Sequence, residues 1–188
     1  KLRRVLRDPL ALAQTLQHLA WELGEAGRTS SSIRCLRQAL AYRRILGDDR
    51  EVFLCLANLG ERLWECGQIQ KARNIFEEAL PKAAHGFPGW GRARVLESLS
   101  LLAESPAEAL TLQHQFVQEL CSLGREFDAG KAMLRLASLH VGEGQAWEAR
   151  ELLHAAMGAF QRLVLPEETE QAKVLTKTWH ARSRGDAR

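Results

Sequence analysis

Small and apolar residues recur along this chain at helical spacing, and the arrangement returns at a fixed interval. In "LGERLWECGQIQKARNIFEEAL", residues 59–80, Gly60 is wedged among apolar residues and a turn follows at Cys66-Gly67-Gln68. Ala72, Phe76, Ala79 and Leu80 then share one helix face. The stretch "LAWELGEAGRTSSSIRCLRQAL", residues 19–40, fills the same places. Leu19-Ala20 stands for Leu59-Gly60, Gly27 for Gly67, and Ser32, Leu36, Ala39 and Leu40 for the second-helix set, every offset being 40. Residues 136–157 repeat it with Leu136-Ala137, Gly144, Ala149, Leu153 and Ala156.

A degenerate unit lies between, with Leu99-Ser100 as the apolar-small pair of its first helix and Ala109 as the small residue of its second. First-helix small places are then 20, 60, 100 and 137, stepping by 40, 40 and 37; second-helix places are 32, 72, 109 and 149, stepping by 40, 37 and 40. One three-residue deletion in the third turn explains both series, and Ser105-Pro106 replaces the turn glycine there. The unit is a helix hairpin whose apolar face needs a stacked neighbour to cover it. Small residues sit where two helices cross and let the backbones approach. The five prolines, at 9, 81, 88, 106 and 166, all lie near ends of apolar-periodic stretches, and no useful β alternation separates them. The pattern predicts an all-α chain.

The turn glycine and the run Ala72, Phe76, Ala79 resemble the tetratricopeptide repeat, over roughly residues 10–165. The resemblance implies a right-handed superhelix of antiparallel helix hairpins. The expected organisation is one domain over 1–188, with repeats near 10–47, 50–86, 90–124 and 127–165 and a capping helix near 167–183. Leu175 and Trp179 are expected to lie on the last repeat, and residues 1–8 to be the tail of a preceding helix. The 40-residue unit exceeds the usual length of about 34. Units this long are similar to those of bacterial signal-transducing ATPases, of maltose-activator-type transcription regulators and of kinesin light chains. The resemblance to the regulators implies a cytoplasmic sensor or scaffold beside other domains. The chain begins at Lys1 rather than Met, so the expectation is a piece of a longer protein.

Composition adds mainly exclusions. The 188 residues suffice for a sizeable core, and 46% hydrophobic with 26% charged residues is ordinary for a globular chain. No apolar run suits a membrane span or a signal peptide. A net charge of +3 is too balanced to argue for nucleic acid. Cys35, Cys55, Cys66 and Cys121 form no C-x-x-C pair, and reduced, mostly buried thiols are expected. The six histidines are scattered; His140 and His154 share a hairpin and are the pair placed to face each other. There is no phosphate-binding G-x-x-x-x-G-K-[ST] loop and no G-x-S-x-G elbow. No catalytic set, metal site or cofactor is expected, and the function implied is non-enzymatic.

The resemblance implies where a partner sits, because the first helix of each hairpin lines the concave wall. Carried over place by place, the groove residues are Gln14, Gln17 and Trp21, then Leu54, Ala57, Glu61 and Trp64, then Arg94, Glu97 and Leu101, and finally Lys131 and Leu134. Large apolar groups on such a wall suggest an interaction site, and the glutamates favour a basic partner. The expected partner is a protein or peptide segment, one from the same full-length chain included, with no membrane. The other course for the tryptophans is packing against neighbouring repeats. Two other functions stay open: an assembly element that stacks or forms a homo-oligomer, and, ranked last, an RNA-binding superhelix, which would need a more basic wall.

Overall fold

The computed structural model describes residues 8–84 and 90–185, without the side chains of Ala84 and residues 178–185. Among the described residues every regular element is helical: α1 (Pro9–Glu25), α2 (Thr29–Leu46), α3 (Asp49–Glu65), α4 (Ile69–Ala79) with a 3-10 turn (Leu80–Ala84), α5 (Gly91–Leu101), α6 (Pro106–Ser122), α7 (Glu126–Gly142), α8 (Ala146–Arg162) and α9 (Pro166–Gly185). The chain divides into two compact units, Lys1–Leu102 and Ala103–Arg188. The third predicted hairpin is therefore shared out: α5 closes the first unit and α6 opens the second. Residues 1–7 lie outside the described set, and so does the side chain of Trp179.

Local chemistry starts and stops the helices. Asp8 caps α1, its carboxylate accepting from Leu10 N at 2.9 Å, with Pro9 in the first turn where a missing N–H costs nothing. Ser105 caps α6 by accepting from Glu108 N at 3.2 Å, with Pro106 behind it. The replacement of the turn glycine by Ser105-Pro106 is thus a cap. Elsewhere one turn recurs. The N–H three residues past the last helical residue donates five residues back, from Arg28 to Leu23 O, Gln68 to Leu63 O, Arg125 to Leu120 O, Gln145 to His140 O and Leu165 to Phe160 O. The residue immediately before that donor is left-handed each time. It is glycine at four of these turns, but Val164 at the last, with φ 57° and its side chain exposed.

The hairpins close on small residues, as the spacing predicts. Ala20 and Ser32 are both buried, and Ser32 Oγ donates to Ala20 O at 2.6 Å across the first crossing. Gly60 faces Phe76 so closely that a Cβ on it would lie 2.5 Å from the ring. Ala137, Ala149 and Leu153 form one buried cluster in the second unit. Ser100 and Ala109, assigned the same role, are only half-buried; they belong to different units. In α6 the large apolar place is taken by Gln113, buried, with Nε2 donating to Ala132 O at 3.4 Å. The first unit's core is carried mostly by α3, where Val52, Phe53, Cys55, Leu56, Leu59 and Leu63 are all buried.

Because Ala72 and Ala149 are fully enclosed, leucine at either is expected to destabilise by roughly 1–3 kcal/mol through overpacking. Denaturant midpoints that do not move would show that the crossing does not lie at these residues.

The last helix, α9, packs against α8. Among its described side chains the buried ones are Thr169 and Ala172, whereas Leu175 is 39% exposed. The contact runs one turn earlier along the helix than Leu175 suggested.

Candidate functional site

The sequence-assigned groove residues stand on α1, α3, α5 and α7, the first helices of the hairpins. Ten belong to the first unit, and two hollows there collect seven of them. One, of about 640 Å³, is lined by Gln14, Thr15, Gln17, His18, Trp21, Arg43 and Glu51. The other, of about 310 Å³, is lined by Glu61, Trp64, Glu65, Arg94, Glu97 and Ser98.

The first hollow has a polar floor and an aromatic rim. Arg43 comes from a second helix, α2, yet its side chain is only 4% exposed. Its Nε and Nη2 donate to Gln17 Oε1 at 3.0 and 2.6 Å, and Nη2 lies 3.2 Å from Glu51 Oε2. Asp48 Oδ2 stands 3.8 Å from Nη1, and Gln17 Nε2 donates to Glu51 Oε2 at 2.9 Å. A buried guanidinium requires such a full set of acceptors. The network fixes Gln17 and Glu51 in place, while Trp21 beside them is 61% exposed. Packing in the first unit leaves most of this indole in solvent.

The second hollow is acidic. Glu61 pairs with Arg94 across α3 and α5, and Glu65 pairs with Arg62 at 2.8 Å. The lining carries Glu61, Glu65 and Glu97 against the single cation Arg94. Trp64 is half-buried here, with part of the ring on the hollow.

Three assigned residues of the first unit stand apart from both hollows. Ala57 is 5% exposed, buried within α3's packing, and offers a partner no surface. This corrects the groove assignment at that place: α3 sits between neighbouring helices and is covered on more sides than α1. Leu54 is half-buried, and Leu101 is exposed but lines neither hollow. In the second unit Lys131 is exposed, its ammonium 4.4 Å from the Phe127 ring centroid, and Leu134 packs on the Ala137 cluster. Thr15, His18, Arg43, Glu51 and Ser98 were missed. Arg43 and Glu51 lie 26 and 34 residues from Gln17 in sequence, and their pairing has no local signature.

The other candidate chemistry resolves differently from expectation. His140 meets His114 on α6, not His154, which is exposed. Cys55 is buried and its thiol is pushed up to about 11 by burial. Cys66 and Cys121 are exposed, against the expectation of mostly buried thiols. Among the described residues no three His, Cys, Asp or Glu side chains converge as metal ligands, and no helix is long and apolar enough to cross a membrane.

The sequence profile of the family described as "Tetratricopeptide repeat" matches residues 12–50 and 52–83. Over these residues the chain carries tetratricopeptide repeats. Both hollows draw on helices of this repeat-bearing unit. No curated protein matches the chain by sequence. Among solved structures, BtubC (BKLC) from P. vanneervenii is 15% identical, with a TM-score of 0.66 over 97% of this chain and 86% of that one. Aspartyl phosphate phosphatase F from Bacillus subtilis is 15% identical, with a TM-score of 0.71 over 96% of this chain and 48% of that one. The Rap conjugation gene regulator of plasmid pLS20, solved in complex with the Phr* peptide, is 16% identical, with a TM-score of 0.57 over 89% of this chain and 47% of that one. The chain spans about half the length of the last two. At these identities the likeness is one of fold.

Proposed function

We propose that the chain is a non-enzymatic protein-interaction module whose first unit holds a partner segment along the two hollows. The observation that carries this is Trp21: a large aromatic, 61% exposed, on the rim of a hollow whose floor is a locked polar network. Exposed aromatics beside preorganised polar groups supply most of the binding energy at interfaces. The tetratricopeptide-repeat fold supports the reading, and so does a solved neighbour of the same fold that holds a peptide. The charge of the second hollow favours a segment that places lysine or arginine near Glu61, Glu65 and Glu97. We place the module in a larger bacterial regulator, a context supported by the long repeat unit and by a neighbour named a conjugation gene regulator.

The test is to select twelve-residue peptides from a random displayed library and titrate the winners by fluorescence anisotropy. Trp21→Ala and Trp64→Ala are each expected to weaken binding by about 2 kcal/mol, near thirtyfold, as anchor truncations do. Trp147→Ala, which removes a 70% exposed indole from the second unit, should leave it unchanged. Trp21→Ala should also leave the melting temperature in place. Selected peptides that bind all three variants equally would refute the assignment.

A further inference from the structure

We propose that the open leucine face of α1 is the seat of a further second-type helix, which leads into α1 through residues 1–7 as α2 leads into α3 through residues 41–47. The face stands out by comparison along the repeat. Leu16 and Leu19 on α1 answer to Leu56 and Leu59 on α3 and to Leu96 and Leu99 on α5, each step being 40. Leu136 on α7 takes the Leu19 place in the second unit. The five later leucines are all buried, at 5% exposure or less. On α1, by contrast, Leu16 is half-buried and Leu19 is 45% exposed. Leu12 and Leu23 on the same side are half-buried too, where α3 has Val52 and Leu63 buried.

What covers the later leucines is what α1 lacks. α3 packs against α4, its hairpin partner, and also against α2, the second helix of the hairpin before it. Arg43 on α2 reaches Glu51 in the first turn of α3, and Cys55, one turn before Leu59, feels the same Arg43 charge. α5 likewise packs against α4, the second helix before it. α1 packs against its own partner α2, and among the described residues no helix precedes it. In stacked repeats an apolar face that recurs in register is covered by the neighbouring repeat. Trp21 lies two residues beyond Leu19 and so on the far side of the helix. The seat therefore leaves the first hollow open to a partner.

The residues ahead of α1 identify the occupant. Arg3-Arg4-Val5-Leu6 precede Asp8 as Arg43-Arg44-Ile45-Leu46 precede Asp48, every offset again being 40. The two aspartates also cap alike. Asp8 Oδ1 accepts from Ala11 N at 3.4 Å and Asp48 Oδ1 from Glu51 N at 3.2 Å, each three residues on. A stretch that matches the end of α2, followed by a cap that matches the cap of α3, has the sequence of a joint between a second helix and the next first helix. The occupant is thus a helix joined to this chain through residues 1–7, apolar toward α1, with Arg3 in the place of Arg43.

The test supplies such a helix. Residues 1–40 are duplicated ahead of Lys1, so that Leu40 of the duplicate runs into Lys1 as Leu40 runs into Ala41. Leu19→Cys in the original α1 reports on the face, and its labelling by N-ethylmaleimide is followed by peptide mass. In the 188-residue chain the new thiol is expected to label at about the rate of exposed Cys66. In the extended chain it should label roughly tenfold more slowly, the scale of burying one leucine-sized side chain. Circular dichroism should gain one hairpin of helix. A shuffled extension of the same length should leave the rate where it was. Equal labelling with the true and the shuffled extension would overturn the proposal, whether or not the duplicate is helical. So would protection in the 188-residue chain that grows with protein concentration, since a second copy would then be the occupant.

Discussion

Phe76→Ala is expected to cost roughly 3–5 kcal/mol of unfolding free energy, read as a fall in the denaturant midpoint. The ring is 1% exposed and packs on Gly60, where the missing side chain makes room for it. Truncation leaves a void against backbone that has no side chain with which to fill it. The same contact makes the reverse change costly, because a methyl group on Gly60 would sit 2.5 Å from the ring. Gly60→Ala combined with Phe76→Leu should therefore cost less than the two single changes added together, a coupling expected of directly touching groups. Strict additivity would mean that the glycine and the ring do not share one space.

Glu51→Ala is expected to destabilise by about 3 kcal/mol, while Arg43→Met leaves stability within about 1 kcal/mol of the wild type. The asymmetry follows from burial. Arg43 is enclosed, whereas the Glu51 side chain is 26% exposed and can still reach water when its partner is gone. Removing the carboxylate strands a buried guanidinium with Gln17 and an Asp48 carboxylate 3.8 Å away. Removing the guanidinium keeps the apolar stem and strands nothing that water cannot serve. Chemical denaturation of both variants checks this, and equal losses would show that the pair acts as an ordinary surface bridge. The consequence reaches the site, because Gln17 and Glu51 line the hollow and are held by the same charge.

The hairpins were readable because their geometry constrains individual positions. A crossing that admits Gly60, Ala72 or Ala149 and a turn that needs a left-handed residue both leave their mark at fixed offsets. The third hairpin read less well for a physical reason. Gln113 occupies a buried apolar place by donating to a backbone carbonyl 19 residues on, and hydrophobic spacing does not reveal such a bond. The candidate site was readable in part. Place-by-place transfer picked Trp21, Trp64, Glu61, Arg94 and Glu97, each of which lines one hollow or the other. It failed at Ala57, where neighbouring helices cover the position, and it missed Arg43, since a buried arginine on a second helix looks like any surface arginine in sequence. Its acceptors, Gln17 and Glu51, come from α1 and α3, so only the folded chain shows that the three belong together.

Val164 bears on how such a chain drifts over generations. Its left-handed backbone is strained for a branched side chain, by about 1–2 kcal/mol, and at 82% exposure the isopropyl group gains almost nothing in return. The helices on either side nonetheless impose the turn, closed by the same Leu165-to-Phe160 bond that the glycine turns use. Signature residues at such a place are free to erode before the geometry does. A lineage can lose the recognisable letters of a repeat and keep its shape, and then regain them later by a single change that relaxes the backbone.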